Sequence, residues 1–524
     1  MLGPCKERDV ERLVPLSLEA AVPADHFYRH LDAVLDLSFV RTWVGGCYAE
    51  GGRPSIDPVV FFKLQLVMFF EGIRSERYLM RVVADRLSVR WYLGYALDEP
   101  LPDHSSLTRI RARLGLSVFQ RFFAQVVELC RDAGLVRGTE LFFDATKVRA
   151  NADVDSLVPR WYAAAKAHLT DLFADDVPGA AASEAPGTTS SAHQAAPTID
   201  EVRADRDAPP RLPVAGTVDE EQRLADENRT TWRLLERLRL DSIRPATRGY
   251  QRTADVRVST TDPDAAPMRA YPGERTTLGY HDHYVVDGGR ARIILQALVT
   301  PADVMENAPM LDLLHRVRFR WHLHPRRAVG DTTYGTVENI RALEDAGIRA
   351  CVPLPNFEKR TPYFGASRFT YDAAHDEYRC PQGHRLRRVK AKYTEAMIVY
   401  QAGAATCNAC PLKGTCTGSK QGRQVYRSFY ADYLDRVRTY HETPAYQKVM
   451  RKRQVWVEPL FGEAKDWHGL RRFRLRRLWK VNSEALVVAA GQNRKRWLSK
   501  MGWGRRHGPA GSLTPSPRSL PAPI

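Results

Sequence analysis

The chain has 524 residues, 44% hydrophobic and 10% aromatic, enough to fill the cores of about two to four domains and too apolar for a disordered chain. Lys and Arg outnumber Asp and Glu by 78 to 61, a formal charge of +17, which favours a polyanionic partner, nucleic acid before membrane surface. The most apolar run, VVFFKLQLVMFF at 59–70, is too short for a bilayer span and carries Lys63, and MLGPCKERDVER lacks a signal-peptide pattern, so a cytoplasmic protein with no membrane contact is expected. The eight cysteines are then expected to be reduced, and clustered spacing among them points to metal before disulfide.

In chain order, residues 24–114 read as a compact helical unit with apolar positions at helical spacing. Asp57 and Ser75 suit N-caps, Pro58 suits a first helical position, and Asp103 or Ser105 opens the last helix. Arg74, Arg77, Arg81, Arg86 and Arg90 fall on polar faces, which fits either a helix set in a DNA groove or a bundle with solvated basic faces. From 138 the pattern switches to β-formers, GTELFFDATKVRAN, with Asp144 amid Leu141, Phe142, Phe143 and Val148. An unpaired carboxylate there is costly unless a cation compensates it.

Helices are predicted at 158–173 and about 218–240, separated by an Ala-, Pro-, Ser-, Thr- and Gly-rich spacer, roughly 175–217, expected to be disordered. Strands at 278–287 and 292–300 are joined by the Gly288–Gly289 pair, and a helix over 303–318 leads to a strand ending at Asp331. His281 and His283 alternate on one strand face and read as satisfied surface histidines. A helix at 336–346 and a buried strand at 348–355 follow. About a hundred residues then intervene, containing Cys380, Cys407, Cys410 and Cys416. Four thiols suit a tetrahedral structural zinc site, with His384 as an alternative to Cys416, and four reduced apolar cysteines as the other reading.

Residues 451–477, RKRQVWVEPLFGEAKDWHGLRRFRLRR, place Glu458 and Lys465 two helical turns apart on one face, the acid suited to a metal ion and the ammonium to an anionic oxygen. Pro459 makes Glu458 the start of a helix or a kink. Arg451, Arg453, Arg471, Arg472, Arg474, Arg476 and Arg477 surround them with positive charge suited to DNA. The stretch 483–500 reads as a Ser-capped amphipathic helix covering the sheet, and residues from 508 as a disordered tail.

Asp144, Asp331 and Glu458, with Lys465, resemble the acidic set of the DDE transposases of bacterial insertion sequences. That family's glutamate signature has Tyr, two residues, Arg, three residues, Glu, six residues, Lys; Glu458 and Lys465 match, whereas Arg451 and Gln454 replace the Tyr and Arg. GRPSIDP, GIRSER, RWYLGY and PDHSSL resemble the family's N-terminal helical region. The resemblance covers most of residues 20–500 and implies an α/β, RNase H-like catalytic domain with a mixed sheet flanked by helices, plus an all-α N-terminal domain and a small cysteine-bearing insertion. The corresponding boundaries are 1–125 for the DNA-binding domain and 138–355 and 441–507 for the two parts of the catalytic domain, with the insertion at 356–440 and the tail at 508–524.

It further implies Asp144, Asp331 and Glu458 as ligands of two Mg²⁺ or Mn²⁺ ions, Lys465 as a catalytic phosphate contact, and Arg74, Arg77 and Arg81 among the DNA contacts. Double-stranded DNA, as inverted-repeat ends and target, is the implied partner, bound by a homodimer assembled on it in the nucleoid. The activity implied is end cleavage followed by strand transfer of the 3′-hydroxyl. The alternatives are a nuclease of the same fold that never joins strands, and an inactive transposase-derived DNA-binding protein.

Overall fold

The computed structural model describes residues 15–48, 51, 55–172, 252–269, 273–356 and 361–503. The predicted spacer at 175–217, the helix at about 218–240 and the tail from 508 lie outside the described residues. Among the described residues no helix is long and apolar enough to cross a membrane. Two compact units emerge, one from residues up to Leu135 with those from Leu486 onward, the other spanning Val136 to Ala485 apart from the undescribed stretch.

The first unit is helical. Pro58–Phe70 is its central helix, opened as predicted by Asp57, whose carboxylate accepts the Val59 N–H at 2.8 Å, and by Pro58, whose missing N–H costs nothing in a first turn. Apart from Lys63 and Gln65 it is apolar, and Phe61, Phe62, Leu64 and Val67 are fully buried. Ser75 caps Glu76–Asp85, whose Arg77 and Arg81 are exposed, as is Arg74 just before it. Asp103 opens His104–Asp132, which breaks at Gly115, where φ is +64°, a conformation glycine adopts without steric cost. Phe62 and Phe122, from the two long helices, stack at 4.5 Å.

The final helix departs from the prediction. It runs Leu478–Lys500, with Ser483 inside it and its hydroxyl bonded to the Trp479 carbonyl at 3.0 Å, so Ser483 is no cap. From Leu486 the helix belongs to the helical unit, where Gly491 faces the Phe69 ring so closely that a Cβ would stand 2.6 Å from it. The continuous apolar run ALVVAA, buried throughout, draws it in.

The second unit is α/β. Its larger sheet is built from β1 (Glu140–Arg149), β4 (Ala266–Met268), β5 (Thr277–Asp287), β6 (Ile294–Pro301), β7 (Arg327–Val329) and β8 (Arg349–Cys351), after the small β2 (Leu157–Pro159) and β3 (Arg257–Ser259) ribbon. β5 pairs antiparallel with β1, β4 and β6, while β7 runs parallel to both β1 and β8. The sheet is therefore mixed, with helices packed on it. β8 is shorter than the predicted 348–355 because Pro353 and Pro355 have no N–H to donate. The helix predicted at 303–318 forms at Met310–Trp321, behind Pro309, which leaves Glu306 in a loop. A second, antiparallel sheet of β9 (Thr370–Asp372), β10 (Glu377–Arg379), β11 (Arg385–Lys392), β12 (Met397–Ala402) and β13 (Gln424–Ser428) forms the inserted segment.

A buried acid ties the arginine-rich turn to the larger sheet. Asp262 accepts from the Tyr280 hydroxyl at 2.8 Å and from the Arg477 N–H at 2.9 Å, holding Arg477 at φ +78°. Burial pushes its carboxyl up to about 6 from the ordinary 3.8, so the native state binds this proton more tightly than the unfolded chain. The stabilisation from that proton is complete below about pH 4 and lost as pH rises through about 6. Asp262→Asn keeps an acceptor but cannot ionise. Between pH 4 and pH 8 its stability should therefore rise relative to wild type by up to about 3 kcal/mol, measured by denaturant unfolding at both pH values. A pH-independent difference would show that Asp262 is not the titrating group.

Candidate active site

β1 and β7 set the site by register. The parallel pairing ends at Phe142 opposite Val329, and Asp144 and Asp331 each come two residues later, so the two acids leave adjacent strands at the same height. Asp144 is 8% exposed, opposite Tyr284 of β5, whereas Asp331 heads a short turn, its carboxylate accepting the Thr333 N–H at 2.7 Å. Glu458 arrives on a helix, as predicted. Pro444–Trp456 ends at Val457 and Glu458–Trp467 starts at once, because Pro459 cannot donate to the preceding turn. The Phe461 ring stacks on Tyr284 at 4.5 Å and seats this helix over β5.

All three acids meet one guanidinium. Arg453 Nη2 lies 3.4 Å from Asp144 Oδ2 and 3.8 Å from Asp331 Oδ2, and its Nη1 lies 3.7 Å from Glu458 Oε1. Burial pushes the Asp144 carboxyl up to about 6, against the pull of Arg453 and of the Ala145 N–H, with Asp331 and Glu306 adding to the rise. Lys465 shares the Glu458 side of the helix and donates from Nζ to Thr146 Oγ1 at 2.6 Å, two residues along β1 from Asp144. Burial, with Arg471 nearby, lowers its ammonium's pKa, and Asp282 opposes this.

Several neighbours were not legible in the sequence. Glu306 comes from the loop after β6, 3.7 Å from His281 Nε2, and its carboxyl is raised by burial and then by Asp331. Nothing in PADVMEN marks it; only closure of that loop brings it in. Asp282 of β5, opposite Thr146 of β1, is fully buried and its carboxyl is held well above the usual range by burial. His281 and His283 are not surface residues. Both are buried: His281 Nδ1 meets the carbonyl of Val304, in the loop after β6, at 3.0 Å, and His283 Nε2 meets the Thr300 hydroxyl at 2.8 Å. Burial lowers His281 to about 4, so it is neutral at physiological pH.

The arginine-rich turn continues the end of β1. Arg149 N–H donates to the Arg471 carbonyl at 3.2 Å and Phe473 N–H to the Arg149 carbonyl at 2.8 Å. Arg472 Nε donates to the Ala150 carbonyl at 3.1 Å and Arg476 Nε to the Asn151 carbonyl at 2.9 Å, while Arg471 pairs with Asp466 and Arg474 stands 3.9 Å from Glu484. Arg451, Arg471, Arg472 and Arg476 remain exposed, and Arg453, Arg474 and Arg477 are half-buried.

In the inserted segment Cys380, Cys407, Cys410, Cys416 and His384 line one cavity of about 20 Å³. The Arg423 N–H points at Cys407 Sγ, 3.4 Å away, and burial, with the other three thiols nearby, pushes the Cys416 thiol up. Among the described residues no three His, Cys, Asp or Glu side chains are closed at metal-holding distances, here or at the acidic cluster.

Two family models match the chain. Residues 16–113 match the transposase domain DUF772, and residues 379–498 match the transposase DDE domain. Both matched families are transposase domains. The DDE match spans Glu458, Lys465 and the four clustered cysteines and begins beyond Asp144 and Asp331. No curated protein and no solved structure matches the chain. A DDE domain implies DNA transposition by phosphoryl transfer, hence DNA binding, and transposases of this kind typically act with divalent metals.

Proposed function

We propose that Asp144, Asp331 and Glu458 are the catalytic carboxylates of an RNase H-like transposase domain that cleaves insertion-sequence ends and transfers the 3′-hydroxyl to target DNA. The observation that carries this reading is their convergence, from three distant segments, on Arg453. Strand order β6-β5-β1-β7-β8, with β5 alone reversed, supports the RNase H-like reading. The donor set is hard oxygen and fits Mg²⁺ or Mn²⁺, and a cation already sits among the carboxylates in the form of a guanidinium. When bound, divalent ions would supply activation of the attacking oxygen and neutralisation of the leaving oxygen.

The chain's own groups do the rest. Lys465, braced by Thr146, presents an ammonium beside the acids for a phosphate oxygen, and the exposed arginines of the 471–477 turn flank it for the DNA backbone. A strand-transfer assay with precut ends tests the reading against hydrolysis alone. Joined product supports transposition, whereas cleavage without joining would establish a nuclease.

The helical unit is proposed to bind the terminal repeats, and the complex on DNA to be a homodimer. Arg74, Arg77 and Arg81 are exposed on one helix and the turn before it. Replacing all three by Ala should weaken end binding by about tenfold or more and reduce the salt slope by about 2 to 3. An unaltered slope would place the DNA contacts elsewhere.

A further inference from the structure

We propose that Arg453 is a displaceable counter-ion, which holds Asp144, Asp331 and Glu458 together in the metal-free protein and is driven off them when divalent metal binds. The inference rests on the assignment of these acids as metal ligands and adds a role for a side chain of the same site. Its first support is charge. Three carboxylates, one of them 8% exposed, would repel one another on folding, and the Arg453 guanidinium, itself 13% exposed, is placed among all three.

The second support is the manner of contact. An arginine that braces carboxylates permanently makes short, two-pronged hydrogen bonds of about 2.7–2.9 Å. Arg453 makes none of these: its contacts are 3.4, 3.8 and 3.7 Å, spread over three acids, and among the described residues its buried Nε has no hydrogen-bond partner. The guanidinium is therefore held by charge rather than by directed bonds. Compare Arg327, whose Nη1 meets Glu140 at 2.7 Å on the same strand as Asp144. A divalent ion offers the same carboxylates twice the charge at shorter range. Both cations cannot occupy the centre at full strength, so metal binding carries the cost of displacing Arg453.

Local architecture allows the movement. Arg453 sits in the last turn of Pro444–Trp456, one turn before the bend at Val457, so its side chain can leave the acids without disturbing the strands that carry Asp144 and Asp331. Once released, the guanidinium can pair with a phosphate in place of the carboxylates.

The test is Mn²⁺ binding to the full chain without DNA, followed by the free-ion electron paramagnetic resonance signal, with thermal stability in chelator and in Mn²⁺ as a second readout. In Arg453→Met, Mn²⁺ should bind about tenfold tighter than in wild type, the metal-free protein should melt at lower temperature, and Mn²⁺ should raise that temperature by more than in wild type. Arg453→Lys, whose single ammonium cannot span three acids, should fall between and serves if the methionine variant does not fold. Asp331→Asn should lose the binding, which locates it. Equal or weaker Mn²⁺ binding in both Arg453 variants, with wild type binding normally, would overturn the proposal and leave the metal site intact. Absence of binding in wild type would remove the metal site, and this proposal with it.

Discussion

Cleavage of an insertion-sequence end should fall by about three orders of magnitude in Asp144→Asn, Asp331→Asn or Glu458→Gln, equivalent to about 4 kcal/mol of lost transition-state stabilisation. Each change preserves shape and removes a hard anionic ligand, so the effect belongs to charge. End binding should survive, because the exposed arginines proposed to meet DNA are untouched. Glu463 is the internal control. It lies on the same helix as Glu458 but stands 3.6 Å from His468 Nε2 and has no place in the acid cluster around Arg453. Glu463→Gln should cleave nearly normally. Lys465→Ala should lose about ten- to a hundredfold, since it removes one phosphate contact and leaves the acids in place. Assayed together with Mg²⁺, an active Glu458→Gln beside an inactive Glu463→Gln would overturn the assignment.

The sequence shows the elements of this site better than their surroundings. Asp144 in an apolar strand and Asp331 after another are legible because a carboxylate amid Phe142, Phe143 and Val148 violates the local pattern. Their equal height is not, since it depends on a parallel register set by Glu140 opposite Arg327. Arg453 reads as one of many arginines near Glu458; that it faces inward depends on which acids its helix packs beside, which periodicity does not encode. His281 and His283 mislead for the same reason. Alternation says that they share a face, but the β6 strand and the loop carrying Glu306 decide that the face is covered. The final helix shows the limit of reading amphipathicity locally, because its apolar run names no partner and Phe69 is more than four hundred residues away in sequence.

Loss of the cysteine cluster should unfold the inserted sheet. Its core is small: Phe369, Tyr378, Leu386, Tyr400, Ala402 and Val425, with Cys380, Cys407 and Cys416 packed against it. β9 and β10 contribute three residues each, too few for a stable ladder by themselves, and a core of this size falls short of the ordering entropy of its segment without a staple. We propose that the four thiols lining one cavity are that staple, as ligands of a structural zinc ion. Its binding would supply folding free energy directly and would hold Cys416, whose thiol burial pushes up, as a thiolate. Cys407→Ser with Cys410→Ser should remove one zinc per chain and destabilise the inserted sheet by more than about 5 kcal/mol, seen as loss of amide protection in β11, β12 and β13. Cys47→Ser, in the helical unit, should change neither zinc content nor protection there. Purified protein without zinc, or β12 amides equally protected in the double serine variant, would return these cysteines to the role of small apolar side chains.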